Sequence, residues 1–544
     1  MNESVKEIVK RYDIIFIDMF DTLVIRDTIK PTDIFELVGG KLFKYLRIFA
    51  EIISRKISND EDIDIDNIYS FLPSKYKEKE IEKEYQLCRA NPEIKEVFDF
   101  LKKQGKKIYV VSDMYLPKEV LEGILQNCGY CVDGVYVSSQ YKKNKATGNL
   151  FKCVIDELGI KAEDVIHIGD NEKADKQGAS IVGMESILIP KRTNLLQYSK
   201  MNKKNIVLRG FINNGLHEID SRAQRLGYEI LGPILVCFCQ WINNKKSQYN
   251  FEKIFFMSRD MHIVFDVYKT LYGGDDIEYM YVSRKSLNSA IDDSTNLCTY
   301  LEKIGFSGNV AVVDTGWRCV AQPILEYYAK MNNSESSVGG LYMGAKTGFK
   351  YIKRDKKSES CFLNTNMDLI KSQTISSFIE EMIGIVEDKV ICYDCEGTPV
   401  FNKEEKKIQQ MRDFQNGALK FVRDWSSLKH NSMIYSQEAF LPYLRIEHSP
   451  LDIDIDLFGD AEYDDVKTTR IVNYNRENYC RGNIKNWLYD LRFSAWKGAF
   501  FKKTFKRFYR LPYWGYLILD SLFLAYKDKK TFEKKCVNDL IRYY

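Results

Sequence analysis

The sequence lacks an excess of charge of either sign, a long apolar run and any short-period repeat. Its 544 residues carry 80 Lys and Arg against 76 Asp and Glu, so charge alone gives no reason to expect nucleic acid as a partner. No stretch approaches the roughly 18 uninterrupted apolar residues of a membrane span. The opening MNESVKEIVKRYD has no apolar core of a signal peptide. We therefore expect a cytoplasmic protein.

The cysteine pattern argues against two common site types, a disulfide framework and a zinc ribbon. The 13 cysteines are odd in number and lie in buried-looking contexts such as LVCFCQW, which favours reduced thiols over a disulfide framework. Cys392 and Cys395 form a lone CxxC without a second pair at zinc-ribbon spacing, so we interpret them as part of a turn. The length predicts two or three domains.

Four short segments in the first 175 or so residues carry the chemistry. They are IIFIDMFDTL (Ile14–Leu23), IYVVSDMYLP (Ile108–Pro117), KATGNLF from Lys145, and VIHIGDNEKAD (Val165–Asp175). The apolar runs of the first, second and fourth predict buried parallel strands that end in polar residues. In an open parallel sheet, ligands bind beyond those carboxyl ends.

Polar side chains follow each of these predicted strands. Asp18, Ser112 and the pair Asp170 and Asp175 stand at strand ends, and Lys145 lies on a neighbouring element. Carboxylates, a hydroxyl and a lysine that converge at one sheet edge are typical of a Mg²⁺-assisted phosphoryl-transfer site.

These four segments, in this order, resemble the motifs of the haloacid dehalogenase-like (HAD) superfamily, whose members are mostly phosphatases and phosphotransferases. The resemblance implies that Asp18 is a nucleophile that forms an aspartyl-phosphate. It implies that Thr22 orients the loop and that Ser112 binds a phosphoryl oxygen. Lys145 would balance the charge of the nucleophile and of the phosphoryl group.

The same resemblance implies a magnesium site. Asp18, the backbone carbonyl of Phe20 and Asp170 would hold the Mg²⁺ cofactor together with waters. Asp175 would bind the ion directly or through a neighbouring ligand.

One position departs from the family pattern. Most family phosphatases have a second aspartate two residues after the nucleophile as general acid and base, and this chain has Phe20 there. Three interpretations remain open: Asp21 substitutes after a loop shift, the substrate or a cap residue supplies the proton, or the site binds phosphate with little turnover.

The predicted fold class is α/β. Residues 1–200 would form a Rossmann-like HAD core, with a helical cap at about 27–92 that closes over the site. A second Rossmann-like α/β domain would span 205–400, and 401–544 would be mostly helical. In that last region SPLDIDIDLFGDAEYDD lacks the Gly and Glu of an EF-hand loop, so we expect a solvated loop.

The second domain repeats the pattern of an apolar strand followed by polar residues in FMSRD, YVSRKSL and VVDTGW. A second site for an anionic ligand is one interpretation, and structural helix caps with ion pairs are the other. The candidate ligand-binding residues are Ser258, Arg259, Asp260, Arg284, Asp314 and Arg318.

The combination of these segments with the HAD motifs resembles large predicted HAD hydrolases associated with bacterial surface-polysaccharide synthesis. It implies a phosphorylated sugar, polyol or glycan precursor as the small-molecule partner. The competing hypothesis is a binding or scaffold protein, in which a weakened HAD site and the second domain recognise phosphorylated glycan precursors.

The C-terminal region interleaves aromatic residues with Lys and Arg, as in FFKKTFKRFYRLPYW. Three interpretations are open. The segment packs its aromatics on the preceding domain, it lies on a membrane surface as a peripheral contact, or it binds nucleic acid, which is the least favoured.

Overall fold

The computed structural model describes most of the chain. The residues it describes are 7–199, 205–291, 293–317, 319, 321–345, 357–362, 376–384, 388–402, 409–428, 433–460, 462–464, 468–475 and 484–532. They divide into two compact units. Unit 1 holds the described residues up to 196 and residues 205–218, and unit 2 holds 197–199 and everything from 219 onward.

Unit 1 is built on a five-stranded sheet with strand order β5-β4-β1-β6-β7. All four neighbouring pairs are parallel. The strands are β1 (Ile14–Ile17), β4 (Lys107–Ser112), β5 (Gly134–Val137), β6 (Val165–Gly169) and β7 (Glu185–Leu188). Helices follow these strands in α/β alternation, which confirms the predicted Rossmann-like core.

The longer helices that cross between the strands bury one apolar face each. In the helix before β4, Ile94, Val97 and Leu101 recur at helical spacing and are fully buried. These helices are α4 (Pro92–Lys103), α5 (Lys118–Asn127), α6 (Ser138–Tyr141), α7 (Asn149–Leu158) and α8 (Gly178–Ile181), with a π-type turn at Glu172–Gln177.

An insertion between β1 and α4 contains the predicted cap. It consists of a short antiparallel pair, β2 (Val24–Arg26) and β3 (Cys88–Ala90), and three helices, α1 (Asp33–Ile57), α2 (Ile65–Tyr69) and α3 (Lys75–Leu87). The first helix kinks at Gly40, whose φ of 81° lies in the left-handed region that favours glycine.

Buried ion pairs hold the helices of this insertion together. The guanidinium of Arg47 donates to both oxygens of Glu80 at 2.9 Å, and both side chains are fully buried. Arg26 pairs in the same way with Glu84 at 2.8 Å. A buried charge needs its partner, so these pairs fix how α1, β2 and α3 pack.

Helix α9 (Ile206–Leu216) belongs to unit 1, although the sequence boundaries assigned it to the second domain. Gly210 lies against the backbone of Asp27, where a β-carbon would come within 2.2 Å of the Asp27 carbonyl carbon. The side chain of Asn214 donates to the carbonyl of Arg26 at 2.8 Å. These long-range contacts move the boundary from about residue 205 to about residue 219.

Unit 2 contains the second α/β sheet that the sequence predicted. Its strand order is β12-β11-β10-β8-β9, and all pairs are parallel. The strands are β8 (Lys253–Met257), β9 (Ile277–Met280), β10 (Asn309–Trp317), β11 (Ser337–Ala345) and β12 (Glu359–Ser360). The helices around this sheet are α10 (Arg222–Leu226), α11 (Gly232–Tyr249), α12 (His262–Tyr272), α13 (Arg284–Ser289), α14 (Thr295–Lys303), α15 (Ala321–Asn332) and α16 (Ser376–Ile383).

The rest of unit 2 is mostly helical, in agreement with the prediction for 401–544. It begins after an antiparallel pair, β13 (Lys389–Tyr393) and β14 (Pro399–Asn402), whose turn contains Cys395. The remaining elements are α17 (Gln409–Ser426), α18 (Ser436–His448), α19 (Asp452–Phe458), β15 (Glu462–Asp464), β16 (Thr468–Arg470), α20 (Ile484–Phe493), α21 (Lys497–Phe505) and α22 (Arg510–Phe532). No division of unit 2 separates this region from the second sheet.

The acidic segment at 452–458 is a helix with a buried face, so the solvated loop predicted there is wrong. Asp454 is fully buried and accepts hydrogen bonds from Arg222 at 2.7 Å and from the hydroxyl of Tyr198. A buried carboxylate with two donors is a structural group.

Among the residues described here, one helical stretch, Arg222–Tyr249, has the length and apolar composition to cross a membrane, and 83% of its most apolar window is buried inside the protein.

Candidate active site

The central strands of unit 1 bring the first acids together. Ile17 of β1 pairs with Ile168 of β6, and the amide of Asp18 donates to the carbonyl of Ile168 at 2.8 Å. Asp18 and Asp170 therefore leave adjacent parallel strands at nearly the same level. The polar ends of the two strands share one edge of the sheet, as the sequence predicted.

Three carboxylates form a cluster at this edge. One oxygen from each of Asp18, Asp170 and Asp175 lies within 4.8 Å of the others. Asp175 is buried, and the side chains of Asp18 and Asp170 are each 11% exposed. Three acids this close and this poorly hydrated repel one another unless cations balance them.

Lys145 supplies one positive charge to the cluster. Its Nζ donates to Asp18 Oδ1 at 2.7 Å and to Asp175 Oδ1 at 2.6 Å, and its side chain is 2% exposed. Lys191, an exposed side chain, lies 3.7 Å from Asp170 Oδ2. The buried lysine thus bridges two of the three acids.

The electrostatics of the cluster follow from this arrangement. Burial opposes the charged form of Lys145, but the nearby carboxylates of Asp18 and Asp175 outweigh it and raise the pKa of Lys145. Burial, together with the charges of Asp175 and Asp170, raises the pKa of Asp18 to about 7 against the opposing effect of Lys145. Burial and the charge of Asp21 raise the pKa of Asp170. The cluster has more negative charge than its lysine can neutralise.

Asp175 remains ionised within the cluster. Burial by itself would raise its pKa, but Lys145 and the ring of His167 outweigh that effect and lower it. His167 Nε2 lies 2.9 Å from Asp175 Oδ1, and burial lowers the pKa of His167. A neutral His167 therefore donates its Nε2 proton to Asp175. The amide of Asn171 donates to the other carboxylate oxygen at 2.8 Å.

Two glycines allow the close approaches on which the site depends. A β-carbon on Gly169 would come within 2.2 Å of the Asp175 carboxylate carbon. A β-carbon on Gly178 would come within 1.9 Å of the carbonyl oxygen of Lys145. Neither was among the predicted site residues, although glycines beside a strand end and a short helix are a known signal of close backbone approach.

Two acids outside the predicted site residues, Asp113 and Glu61, hold the loop of Lys145. The carboxylate of Asp113 accepts the amide of Lys145 at 3.0 Å. Glu61 accepts hydrogen bonds from Thr147 Oγ1 at 2.7 Å and from the amide of Asn144 at 3.2 Å. Asp113 stands next to the predicted Ser112 and was within reach of sequence reasoning, whereas Glu61 lies in the insertion and gave no local signal.

Ser112 and Thr22 lie where the motifs predicted, at or near strand ends. Ser112 ends β4 and is 1% exposed. Thr22 is fully buried, and among the described residues its hydroxyl has no hydrogen-bond partner. Its backbone carbonyl accepts from the Asn91 side chain at 2.8 Å, which ties the loop after β1 to the start of α4.

In the loop after β1, Phe20 contacts another side chain, whereas Asp21 is exposed to solvent. The ring of Phe20 covers the guanidinium of Arg26, whose carbon lies 3.9 Å from the ring centroid. Asp21 is exposed and has a left-handed φ of 60°. The negative charge of Asp21 contributes to the raised pKa of Asp170, so the carboxylate of Asp21 lies at the rim of the cluster.

The candidate residues of unit 2 are spread over three strand ends. Asp314 of β10 follows Val313, which pairs with Phe256 of β8, so Asp314 stands level with the end of β8 and close to Ser258 along the edge. Partial burial and the charge of Asp260 raise the pKa of Asp314 to about 6. These two acids therefore lie near each other.

The other described candidates in unit 2 either bond to nearby backbone or lie at a different strand end from Asp314. The hydroxyl of Ser258 donates to the carbonyl of Val282 at 3.1 Å, and Arg259 follows it directly. Arg284 is exposed at the first position of α13, where Ser283 caps the helix. The predicted Arg318 lies outside the described residues.

The residues of unit 1 fit a divalent cation. Asp18, Asp170 and Asp175 offer oxygen ligands within 4.8 Å of one another, which is the donor type that Mg²⁺ prefers. Burial and the neighbouring carboxylates raise the pKa values of Asp18 and Asp170, and a bound cation would oppose both effects by stabilising their charged forms.

Comparisons with known proteins agree with this site. Residues 12–183 match the family model for haloacid dehalogenase-like hydrolases. None of the curated proteins compared with the chain matches it.

Among solved structures, the chain is similar to a HAD phosphatase from Thermococcus onnurineus, with 21% identity over 34% of this chain and 89% of that chain and a TM-score of 0.26. A predicted phosphatase from Clostridium acetobutylicum matches with 20% identity over 32% and 84% of the two chains and a TM-score of 0.25. A predicted phosphoglycolate phosphatase from Haemophilus somnus matches with 15% identity over 33% and 90% and a TM-score of 0.25.

The match to the family model and the ordered motifs at the edge of a parallel sheet lead to one conclusion. Residues 12–183 of this chain form a haloacid dehalogenase-like hydrolase domain.

Proposed function

We propose that unit 1 is a Mg²⁺-dependent phosphatase or phosphotransferase that acts on a phosphorylated sugar or polyol through Asp18. The observation that carries this proposal is the bridge from the Lys145 ammonium to Asp18 at 2.7 Å and to Asp175 at 2.6 Å. A lysine between two anionic groups favours the ionised form of both. A phosphoryl group that reacts with Asp18 is a further anion, and the same ammonium would offset its charge.

The proposed reaction has two steps. A carboxylate oxygen of Asp18 attacks phosphorus, the bond from phosphorus to the leaving oxygen breaks, and the leaving oxygen takes a proton. Water, or an acceptor hydroxyl in a phosphotransferase, then attacks phosphorus and gives up its proton to a base or to solvent. The bond from phosphorus to the Asp18 oxygen breaks, which releases phosphate or the phosphorylated acceptor and returns Asp18 to its carboxylate form. Ser112 at the end of β4 would bind a phosphoryl oxygen, and Lys145 would offset the charge that develops.

Asp18, Asp170 and Asp175 would hold the Mg²⁺ ion, with the Phe20 carbonyl as a further ligand. When bound, the ion withdraws charge from the phosphoryl oxygens and lowers the barrier to attack. Asn171 and His167 support this role because both donate to Asp175 and so fix its orientation.

The proton donor is the open part of this proposal. Phe20 occupies the position of the family's second aspartate, and its ring is engaged by Arg26. Asp21 is the candidate in this chain, because it is exposed at the rim of the cluster. A leaving group that needs little protonation, or a donor from the substrate or the insertion, would serve instead.

The substrate class rests on the resemblance to predicted HAD hydrolases of surface-polysaccharide synthesis. The helical insertion supports a small substrate, since its Glu61 contacts the loop of Lys145 and a cap at such a site excludes water and large ligands. Large polymers would not be the direct substrate on this proposal.

The test measures phosphate release from sugar phosphates, polyol phosphates and para-nitrophenyl phosphate with and without Mg²⁺. The wild-type chain should release phosphate only with the ion, and Asp18→Asn should abolish release while the chain stays folded, as circular dichroism would show. Asp156→Asn, at an acid of α7 away from the strand ends, is the matched control and should keep full activity. Equal rates in the wild type and Asp18→Asn would overturn the proposal.

The absence of a second aspartate at Phe20 favours one alternative, a binding protein that recognises phosphorylated glycan precursors. Phe20→Asp separates the two. If the site is an enzyme limited by proton transfer, this variant should raise phosphate release by about tenfold or more. If both proteins bind phosphorylated sugars in a calorimetric titration and neither turns them over, the binding function is correct.

A further inference from the structure

The last described helix, α22, packs on unit 2 through one face. Tyr509 immediately before it, Tyr513 and Leu517 recur every four residues and are at most 6% exposed. The hydroxyl of Tyr513 lies 2.9 Å from Nδ1 of His448, and its ring contacts Phe501. These contacts fix the helix on α18 and α21, so its orientation is set.

The opposite face of the helix is apolar and open. Its side chains are between 49% and 85% exposed, although they are large and hydrophobic. They are Leu511, Trp514, Ile518, Leu519 and Leu522, together with Phe508 in the turn just before the helix. A helix that is apolar on both sides is normally buried on both sides, so this face calls for a second apolar environment.

Lys and Arg dominate the sequence that leads into this open face. Between Asp490 and Asp520 the sequence has seven Lys and Arg and no Asp or Glu. Lys506, Arg507 and Arg510 are exposed at the turn into α22, next to Phe508 and Leu511. The surface therefore combines an apolar stripe with a positive rim.

We propose that this face of α22 binds the surface of an anionic lipid bilayer. The apolar side chains would enter the boundary between headgroups and acyl chains, with the Trp514 ring at headgroup level. Lys506, Arg507 and Arg510 would meet the anionic headgroups. The inference is independent of the chemistry proposed for unit 1, because it rests on unit 2 alone.

Charge argues against a second copy of the chain as the occupant. A symmetric contact that crosses at the start of α22 would bring the cations there near those of the partner, and the sequence between Asp490 and Asp520 offers no acid to neutralise them. An anionic membrane supplies both the apolar phase and the counter-charge.

The experiment is co-sedimentation of the full chain with vesicles. One set contains equal amounts of phosphatidylcholine and phosphatidylglycerol, and the other contains phosphatidylcholine alone. We expect the chain to bind the anionic vesicles at least tenfold more strongly than the neutral ones. Added salt should weaken this binding, because it screens the cationic rim.

Two double variants test the apolar stripe and the cationic rim of the surface separately. Leu511→Gln with Ile518→Gln removes apolar area, and Arg507→Gln with Arg510→Gln removes charge. Each pair should lower binding to anionic vesicles by about tenfold or more. All four side chains are exposed, so circular dichroism and the melting temperature should match the wild type.

Matched controls use exposed residues elsewhere. Lys269→Gln with Lys303→Gln removes the same charge from unit 2, and Leu42→Gln with Phe49→Gln removes exposed apolar side chains from α1 of unit 1. Both controls should bind vesicles like the wild type.

Four outcomes would overturn the proposal, three with vesicles or in sedimentation and one with nucleic acid. The chain stays in the supernatant with both vesicle types, the α1 control loses binding while the α22 variants keep it, or the α22 variants abolish only concentration-dependent self-association in sedimentation velocity. The last would make a second copy the occupant. Tighter binding to single-stranded DNA than to vesicles, lost in the same variants, would assign the face to nucleic acid instead.

Discussion

The carboxylate of Glu61 accepts a hydrogen bond from the hydroxyl of Thr147 at 2.7 Å, across 86 residues of sequence. Glu61 lies in the insertion between α1 and α2, and Thr147 follows Lys145 by two positions. The side chain of Asn149 also donates to Glu61, at 2.5 Å. The insertion therefore holds the loop that positions the bridging lysine.

Glu61→Ala should lower the rate of phosphate release by about tenfold, because a small displacement of Lys145 weakens its pairing with Asp18. Glu61→Gln keeps an acceptor for Thr147 and should recover part of the rate. The measurement is kcat and KM for para-nitrophenyl phosphate, and kcat should carry the effect. An unchanged kcat in the alanine variant would mean that Asp113 alone holds the loop.

The same contact predicts a pH dependence of stability. Burial opposes ionisation of Glu61, but the hydrogen bonds from Thr147, Asn144 and Asn149 outweigh it and lower its pKa. Its stabilising effect is complete above the unfolded-state pKa, about 4.3, and is lost as pH falls through the lower folded-state value. The melting-temperature difference between wild type and Glu61→Ala should therefore shrink below about pH 4. A difference that grows towards acid pH would contradict this assignment.

Lys145→Met should destabilise unit 1 by about 3–5 kcal/mol, because it leaves two buried carboxylates without their cation. Urea unfolding in metal-free buffer measures the loss. Adding Asp18→Asn to this variant should recover part of it, since one uncompensated charge disappears. A loss below about 1 kcal/mol would show that the pair is not electrostatically coupled to folding.

Asp314→Asn should stabilise unit 2 at neutral pH. Burial and Asp260 raise the pKa of Asp314 to about 6, so folding penalises the charged carboxylate. The penalty is absent below the unfolded-state pKa, about 3.9, grows as pH rises, and is complete above the folded value. The variant should thus gain about 1–3 kcal/mol at pH 8 and nothing at pH 3.5. Asp275→Asn, at an exposed acid of the same unit, is the control and should show neither effect.

A second anion site in unit 2 stays a prediction. Titration of the Asp18→Asn chain with glucose 1-phosphate should show binding that Arg259→Ala and Arg284→Ala each weaken by about tenfold, because arginine pairs its planar fork with phosphate. Lys285→Ala, next to Arg284 and also exposed, should bind like the parent. Equal affinity in all of these proteins would favour the other interpretation, in which these residues serve only as helix caps and in ion pairs.

Local sequence signals predicted the strands of unit 1 and the polar residues at the strand ends of its candidate site. The apolar run IIFI forms a strand, and the acid after it stands at the strand end. This could be predicted locally, because four consecutive apolar residues favour a central parallel strand. The same reasoning placed Ser112 at the end of β4 and Asp170 directly after β6.

Local signals failed where a residue's environment comes from distant parts of the chain. The acidic run around Asp454 looked solvated, yet Arg222, more than 200 residues earlier, pairs with it in the interior. Helix α9 looked like the start of the second domain, yet Gly210 packs against Asp27 of unit 1.

The sequence by itself determined that the chain has parallel sheets with acids, a hydroxyl and a lysine at their carboxyl ends, because strand periodicity and the polar residues that end it are local properties. Only the tertiary structure decided which acids share Lys145, that Glu61 holds the lysine's loop, and that α22 buries one apolar face and exposes the other. Those relationships depend on contacts between residues far apart in sequence, and no local pattern encodes them.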